Sequence, residues 1–177
     1  VKKVLITTHR RENWGKITAI LSAIATVAGI FNDHEFIFSL HPNPDLRKAA
    51  GKHFDSQQNV RLVKPMNYLN FVRLMMAVKL IITDSGGIQE ETTALGVPCI
   101  TLRENTARPI TVEQGTNTVV GSDSVHILAA VADVLSRGGK AGRIPELWDG
   151  KASQRIKSVL FDWLARGQAH RRAAGQA

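Results

Sequence analysis

The chain holds 177 residues, 44% apolar and 21% charged, the composition of an ordinary globular domain long enough to bury a good core. Its formal net charge of +8 invites a nucleic-acid reading. Aromatics make up only 6%, however, and the last arginines sit in a polar tail, 166–177, read as a frayed terminus, so stacking platforms for bases are not evident. With no apolar run near the roughly 20 residues that span a bilayer, neither nucleic acid nor a membrane is expected as a partner.

The N-terminal string VKKVLITTHRREN is no signal peptide, because its apolar run is short and ends in charges. It opens on Val and enters a strand almost at once, which points to a piece of a longer chain. The lone Cys99 excludes an internal disulfide and fits a reducing, cytoplasmic setting.

In chain order, residues 3–8 (KVLITT) read as a first buried strand, followed by the polar loop His9-Arg10-Arg11-Glu12-Asn13. Residues 17–27 form an apolar helix, and 35–40 a second strand closed by His41-Pro42-Asn43-Pro44. Asp45 is placed to cap a short helix reaching about Phe54. A third strand over 60–63 precedes a helix over 68–78, with Phe71, Leu74, Met75 and Val78 on one side. The fourth strand is 80–83. The fifth, 98–102, leads into an irregular loop over 103–109 and a short helix. A sixth strand over 116–120, an amphipathic helix over 124–135, a glycine link at 138–142 and a last helix over 153–164 complete the chain. Alternating strands and helices predict an α/β fold: one Rossmann-like domain over 1–177, with a parallel sheet of about six strands and helices on both faces.

The stretch LIITDSGGIQEE, residues 80–91, carries the chemistry. A strand runs into Asp84-Ser85-Gly86-Gly87, and helical spacing resumes from Ile88 with Asp84 or Ser85 as cap. Such a turn aims free backbone N–H groups and a positive dipole end at one point, where phosphate can bind. Glu91, one turn on, suits the hydroxyls of a ribose. The plainer alternative is a tight strand-to-helix turn with no ligand. Right-handed crossovers bring His9 and Arg10, His41, Ser85-Gly86-Gly87, and Arg103 with Arg108 to the same sheet edge. Cations and a helix N-terminus facing one cleft outline a diphosphate site. No P-loop, GxGxxG fingerprint or metal-ligand spacing is present, so no cofactor and no metal are expected. Ser85 lies in no G-x-S-x-G elbow, which disfavours a hydrolase nucleophile.

The strings THRREN (8–13), HPNP (41–44), TDSGGIQEE (83–91) and RENTARP (103–109) occur in this order and spacing, with VEQGTN (112–117) and LWDGKAS (147–153) beyond them. Together they closely resemble the C-terminal half of UDP-N-acetylglucosamine 2-epimerases, which have two Rossmann-like domains around a cleft, as in B-type glycosyltransferases. The resemblance implies that His9 is catalytic. It implies that Phe71, Ser85, Gly86, Gly87, Glu91 and Arg108 bind the UDP moiety: Phe71 beside the uracil, Ser85–Gly87 and Arg108 at the diphosphate, Glu91 at the ribose. Arg10 and His41 match an effector site that takes a second UDP-sugar. For Phe71 the plainer reading is a helix core residue, and for His41 a strand-end histidine fixing a proline loop. The implied reaction inverts C2 of UDP-GlcNAc to give UDP-ManNAc, through elimination of UDP and its re-addition. The carboxylates for the C2 proton belong to the N-terminal domain and have no counterpart here, so this chain alone is expected to be inert. A homodimer in polysaccharide precursor supply is implied as well. A hydrolysing relative that releases free N-acetylmannosamine, or a non-catalytic nucleotide-binding module, are the alternatives. One departure stands out: Ala107 replaces the glutamate the family carries before Arg108, and an alanine cannot pair with that arginine.

Overall fold

A computed structural model describes residues 2–8 and 15–174, with side chains up to Arg166. The chain divides into two compact units, residues 1–144 and 145–177.

The first unit is built on one six-stranded sheet, all of whose pairings are parallel: β1 (Lys2–Thr8), β2 (His34–Leu40), β3 (Val60–Val63), β4 (Leu80–Thr83), β5 (Cys99–Thr101) and β6 (Asn117–Val119). Across the sheet they run β3-β2-β1-β4-β5-β6. The order grows outward in both directions from β1 and β4, which pair with Val4 opposite Leu80 and Thr7 opposite Thr83. That reversal opens a crevice at the C-terminal ends of β1 and β4, where such sheets hold their ligands.

The strands read as near-continuous apolar runs because both faces are covered. Side chains alternate across the sheet, so Val4 and Ile6 face one way and Leu5 the other. On the first face Val4, Ile6, Phe36, Phe38, Leu80, Ile82 and Ile100 pack with helices α1 (Ile17–Ile30), α2 (Pro44–Phe54) and α6 (Ser124–Arg137). On the second, Leu5, Ile37 and Ile81 meet Met75 and Val78 and the flank of α4 (Gly86–Leu95) at Ile88 and Leu95. Met75 closes the buried side of α3 (Tyr68–Met76), with Phe71, Val72 and Leu74 partly buried beside it. The six-strand, two-faced architecture expected from the sequence is therefore present.

Local chemistry sets the ends. The helix after HPNP is capped by Asn43 rather than Asp45: the Asn43 side chain accepts from the N–H groups of Asp45 and Leu46 at 2.8 and 3.2 Å, and Pro44 is the first helical residue. Asp123 caps α6 in the same way, through Val125 and His126. Gly96 ends α4 at φ +70°, a left-handed position that suits glycine. The Asn59 amide donates to the carbonyls of Ala28 and His34 at 2.9 and 3.1 Å, tying α1 and the start of β2 to β3. At Gly115, after the short α5 (Pro109–Glu113), an added Cβ would lie 2.2 Å from Thr93 Oγ1, so only glycine lets this loop close on α4. Cys99 is buried in β5, and burial pushes its thiol up to about 11.

In the second unit α7 (Ala152–Ala174) is longer than the sequence suggested and runs through most of the tail read as frayed. Asp149 leads into it, accepting from Lys151 N–H at 3.0 Å and pairing with the Arg155 guanidinium, which holds the carboxyl below its usual range.

Candidate nucleotide-binding site

β4 ends with Thr83 and Asp84 fully buried. Ser85 then takes extended backbone angles, and α4 begins at Gly86. Ser85, not Asp84, holds the N-cap position, but its hydroxyl makes no capping hydrogen bond. The turn is held from behind instead. Thr83 Oγ1 accepts the Ser85 N–H at 3.0 Å and shares a 2.8 Å hydrogen bond with Thr7 Oγ1, which joins the turn to the end of β1 at the sheet's reversal point.

The first helical bond of α4 runs from Gln89 N–H to the Ser85 carbonyl, at 3.3 Å. The N–H groups of Gly86, Gly87 and Ile88 precede it and have no helical carbonyl to reach. Gly86 and Gly87 lie within the helix, so their conformation is not what requires glycine. Space is. Among the described residues a Cβ added at Gly87 would meet only Ser85 Oγ, at 4.0 Å, so this position is open. A positive dipole end and exposed donors suit an anion.

Arg108 reaches this region from the loop after β5. Its Nε lies 2.8 Å from Glu90 Oε1 in the first turn of α4, with both groups part-exposed. Arg108, which has no carboxylate beside it at position 107, thus pairs with one from another element. The same loop is anchored at its start by Glu104, which receives Lys16 Nζ and Ser122 Oγ, each at 3.1 Å. These contacts hold the Glu104 carboxyl below its ordinary value, the Lys16 hydrogen bond most of all.

Glu91 is half-buried one turn into α4. Its charge, more than desolvation or hydrogen bonding, raises the phenol of Tyr68 above its ordinary value, so Glu91 and the first residue of α3 are close neighbours. Tyr68 also lines a cavity of about 460 Å³ at the same sheet edge, with Thr7, Thr8, His41, Met66, Phe71 and Ile88. Phe71 is half-buried there, with one side on the α3 core and the other on the cavity, so both of its readings have an observation behind them. The Thr8 hydroxyl is buried with no hydrogen-bond partner among the described residues. His41 is exposed, and its Nδ1 accepts the Asn43 N–H at 3.3 Å. That bond is the proline-loop role considered for it, made by a side chain that also borders the cavity.

Five of the six residues assigned to UDP therefore collect on or beside α4, and the sixth, Phe71, lines the adjoining cavity. His9 and Arg10 lie outside the described residues. Among the described residues no group of three His, Cys, Asp or Glu side chains could hold a metal ion, and no helix is long and apolar enough to cross a membrane. Sequence reasoning missed Glu90 as the partner of Arg108, and it missed the buried amide of Gln89. A signal for the second existed: Gln89, Thr92 and Thr93 put three polar side chains on the face of α4 that its helical spacing turns inward.

Comparison with known proteins places these features in a family. The family model for UDP-N-acetylglucosamine 2-epimerase matches residues 1–161. The epimerase of Bacillus subtilis is 36% identical over 92% of this chain and 44% of its own length. Among solved structures, the Neisseria meningitidis UDP-GlcNAc 2-epimerase bound to UDP-GlcNAc superposes with a TM-score of 0.85 at 37% identity, over 91% of this chain and 45% of that one. The Methanocaldococcus jannaschii enzyme in complex with UDP-GlcNAc and UDP gives 0.78 at 35% identity, over 91% and 46%. The chain spans less than half the length of these relatives. With the family model matching residues 1–161 and a relative 36% identical over 92% of the sequence, this chain belongs to the UDP-N-acetylglucosamine 2-epimerase family.

Proposed function

We propose that the chain is the UDP-gripping C-terminal half of an enzyme that interconverts UDP-GlcNAc and UDP-ManNAc by elimination and re-addition of UDP. The observation that carries this reading is the uncapped, glycine-fronted N-terminus of α4, with Arg108 held beside it by Glu90. Elimination leaves a diphosphate whose negative charge grows as the C1–O bond breaks. Donors already aimed at that position need no reorganisation during the step. Ser85, Gly86 and Gly87 take the phosphates, Arg108 adds a cation and Glu91 accepts from the ribose hydroxyls. Phe71 borders the base in the cavity. His9 acts at the reacting end, and Arg10 and His41 take a second UDP-sugar as effector. The rest of the protein supplies the opposite wall of the cleft, the acid and base for C2 and the dimer contacts. That arrangement suits α7, which exposes Ile156, Leu160, Trp163 and Leu164 at helical spacing.

Calorimetric titration of UDP into this chain and into Gly87→Ala tests the reading. The fold has room for the methyl group, so the variant is expected to match or exceed the parent in stability, by up to about 1 kcal/mol, since alanine is the better helix former. UDP affinity is expected to fall by about tenfold, roughly 1.4 kcal/mol. A folded parent chain that ignores UDP, or a variant that binds as well as the parent, would overturn the assignment of this turn.

A further inference from the structure

Gln89 is fully buried, and its Nε2 has no hydrogen-bond partner among the described residues. A buried donor without an acceptor is a cost that the fold does not require, because an apolar side chain of the same length would fill the space. The reason for a glutamine here must lie with its oxygen. Gln89 Oε1 accepts from Thr106 Oγ1 at 2.5 Å and from Asn117 Nδ2 at 3.3 Å. Thr106 Oγ1 in turn accepts the backbone N–H of Arg108 at 3.0 Å. The Arg108 carbonyl accepts from Thr111 Oγ1 at 2.7 Å, and Thr111 Oγ1 accepts from Asn117 Nδ2 at 3.0 Å. The chain of contacts closes on itself and holds the Arg108 peptide on both sides, through its N–H and through its carbonyl.

Two further features make the hold directional. Pro109 follows Arg108 and restricts its backbone, which sits at φ −128° and ψ 59°. Glu90, the neighbour of Gln89 in sequence, fixes the Arg108 side chain from the solvent side. One turn of α4 thus grips Arg108 twice, from inside the protein by the backbone and from outside by the guanidinium.

We infer that Gln89 is a positioning residue for Arg108. Through Thr106 and Asn117 it sets where the arginine stands relative to the N-terminus of α4, without touching the ligand itself. This rests on the UDP reading of that turn. It extends the reading to a residue that contributes no group to the nucleotide.

The test is a double-mutant cycle on UDP affinity with Gln89→Met and Arg108→Ala, joined to amide hydrogen exchange. Methionine keeps the length and loses the acceptor. If Gln89 works through Arg108, Gln89→Met weakens UDP binding several-fold in the parent but less than twofold when Arg108 is already alanine. A residue that merely shores up the fold would weaken both backgrounds equally, and that result would overturn the inference. Exchange supplies a readout that needs no ligand: in Gln89→Met the Arg108 amide is expected to exchange much faster, while the last turn of α4 keeps its protection. Unchanged exchange at Arg108 would also overturn the inference. Should Gln89→Met fail to fold, Thr106→Val breaks the same link from the half-buried side and is read by the same two measurements. A parent chain that did not bind UDP would refute the proposed site alone, and exchange at Arg108 would still decide the role of Gln89.

Discussion

Tyr68 is the only tyrosine in the chain, which makes its phenol a reporter on Glu91. The Glu91 carboxylate disfavours a second negative charge beside it, so the phenol holds its proton to higher pH than the ordinary value of 10.0. The sign follows directly. Stability from the protonated phenol is complete below pH 10 and is lost as pH rises through the raised folded value. Ultraviolet titration of phenolate formation is expected to show a midpoint above 10 in the parent and a lower one in Glu91→Gln. A midpoint that did not move would mean that the two side chains are not neighbours. The residue scale also shows where reading a sequence falls short. The placement of Ser85, Gly86, Gly87 and Glu91 at the start of one helix was legible because it follows from position along one strand-turn-helix. The pairing of Arg108 with Glu90 was not, because it joins residues on two elements that only the fold brings together.

At the scale of elements, most of the architecture could be read from apolar runs and breakers, because a parallel sheet covered on both faces leaves its central strands rich in Val, Ile, Leu and Phe. The misreadings fall at boundaries. Asp45 was an acceptable cap by type, but Asn43 precedes a proline that must be the first helical residue, and that fixes the cap two positions earlier. Removing the cap with Asn43→Ala is expected to cost about 1 kcal/mol in denaturant or thermal unfolding, within the usual range of roughly 0.5–2 for such losses. The same substitution removes no donor to His41, since the Asn43 N–H remains. A loss well outside that range would mean that Asn43 does more than cap α2. The length of α7 was the larger surprise. The arginine-rich end was read as a tail for lack of apolar periodicity, yet alanine and arginine are strong helix formers and carry the helix on from its apolar start.

For the whole molecule, the proposal separates a nucleotide grip from a reaction. This chain carries the anion-binding turn, the arginine and the ribose-reading glutamate of the proposal, and it spans less than half the length of its relatives. It is expected to bind UDP and yet to leave UDP-GlcNAc unchanged, as followed by proton NMR of the anomeric signals over hours. Conversion to UDP-ManNAc by this chain alone, abolished by His9→Ala, would show that the C2 chemistry resides here after all. The sheet that carries the grip has two rims, β3 and β6, of four and three residues. On β3, Arg61 is tied to Glu35 of the neighbouring strand at 2.8 Å, and Lys64 and Pro65 follow at once. Rims this short, with charge and proline at one of them, offer no template on which a foreign strand can extend. The sheet is therefore guarded against edge-to-edge polymerisation by its own margins, whatever else of the protein is or is not beside it.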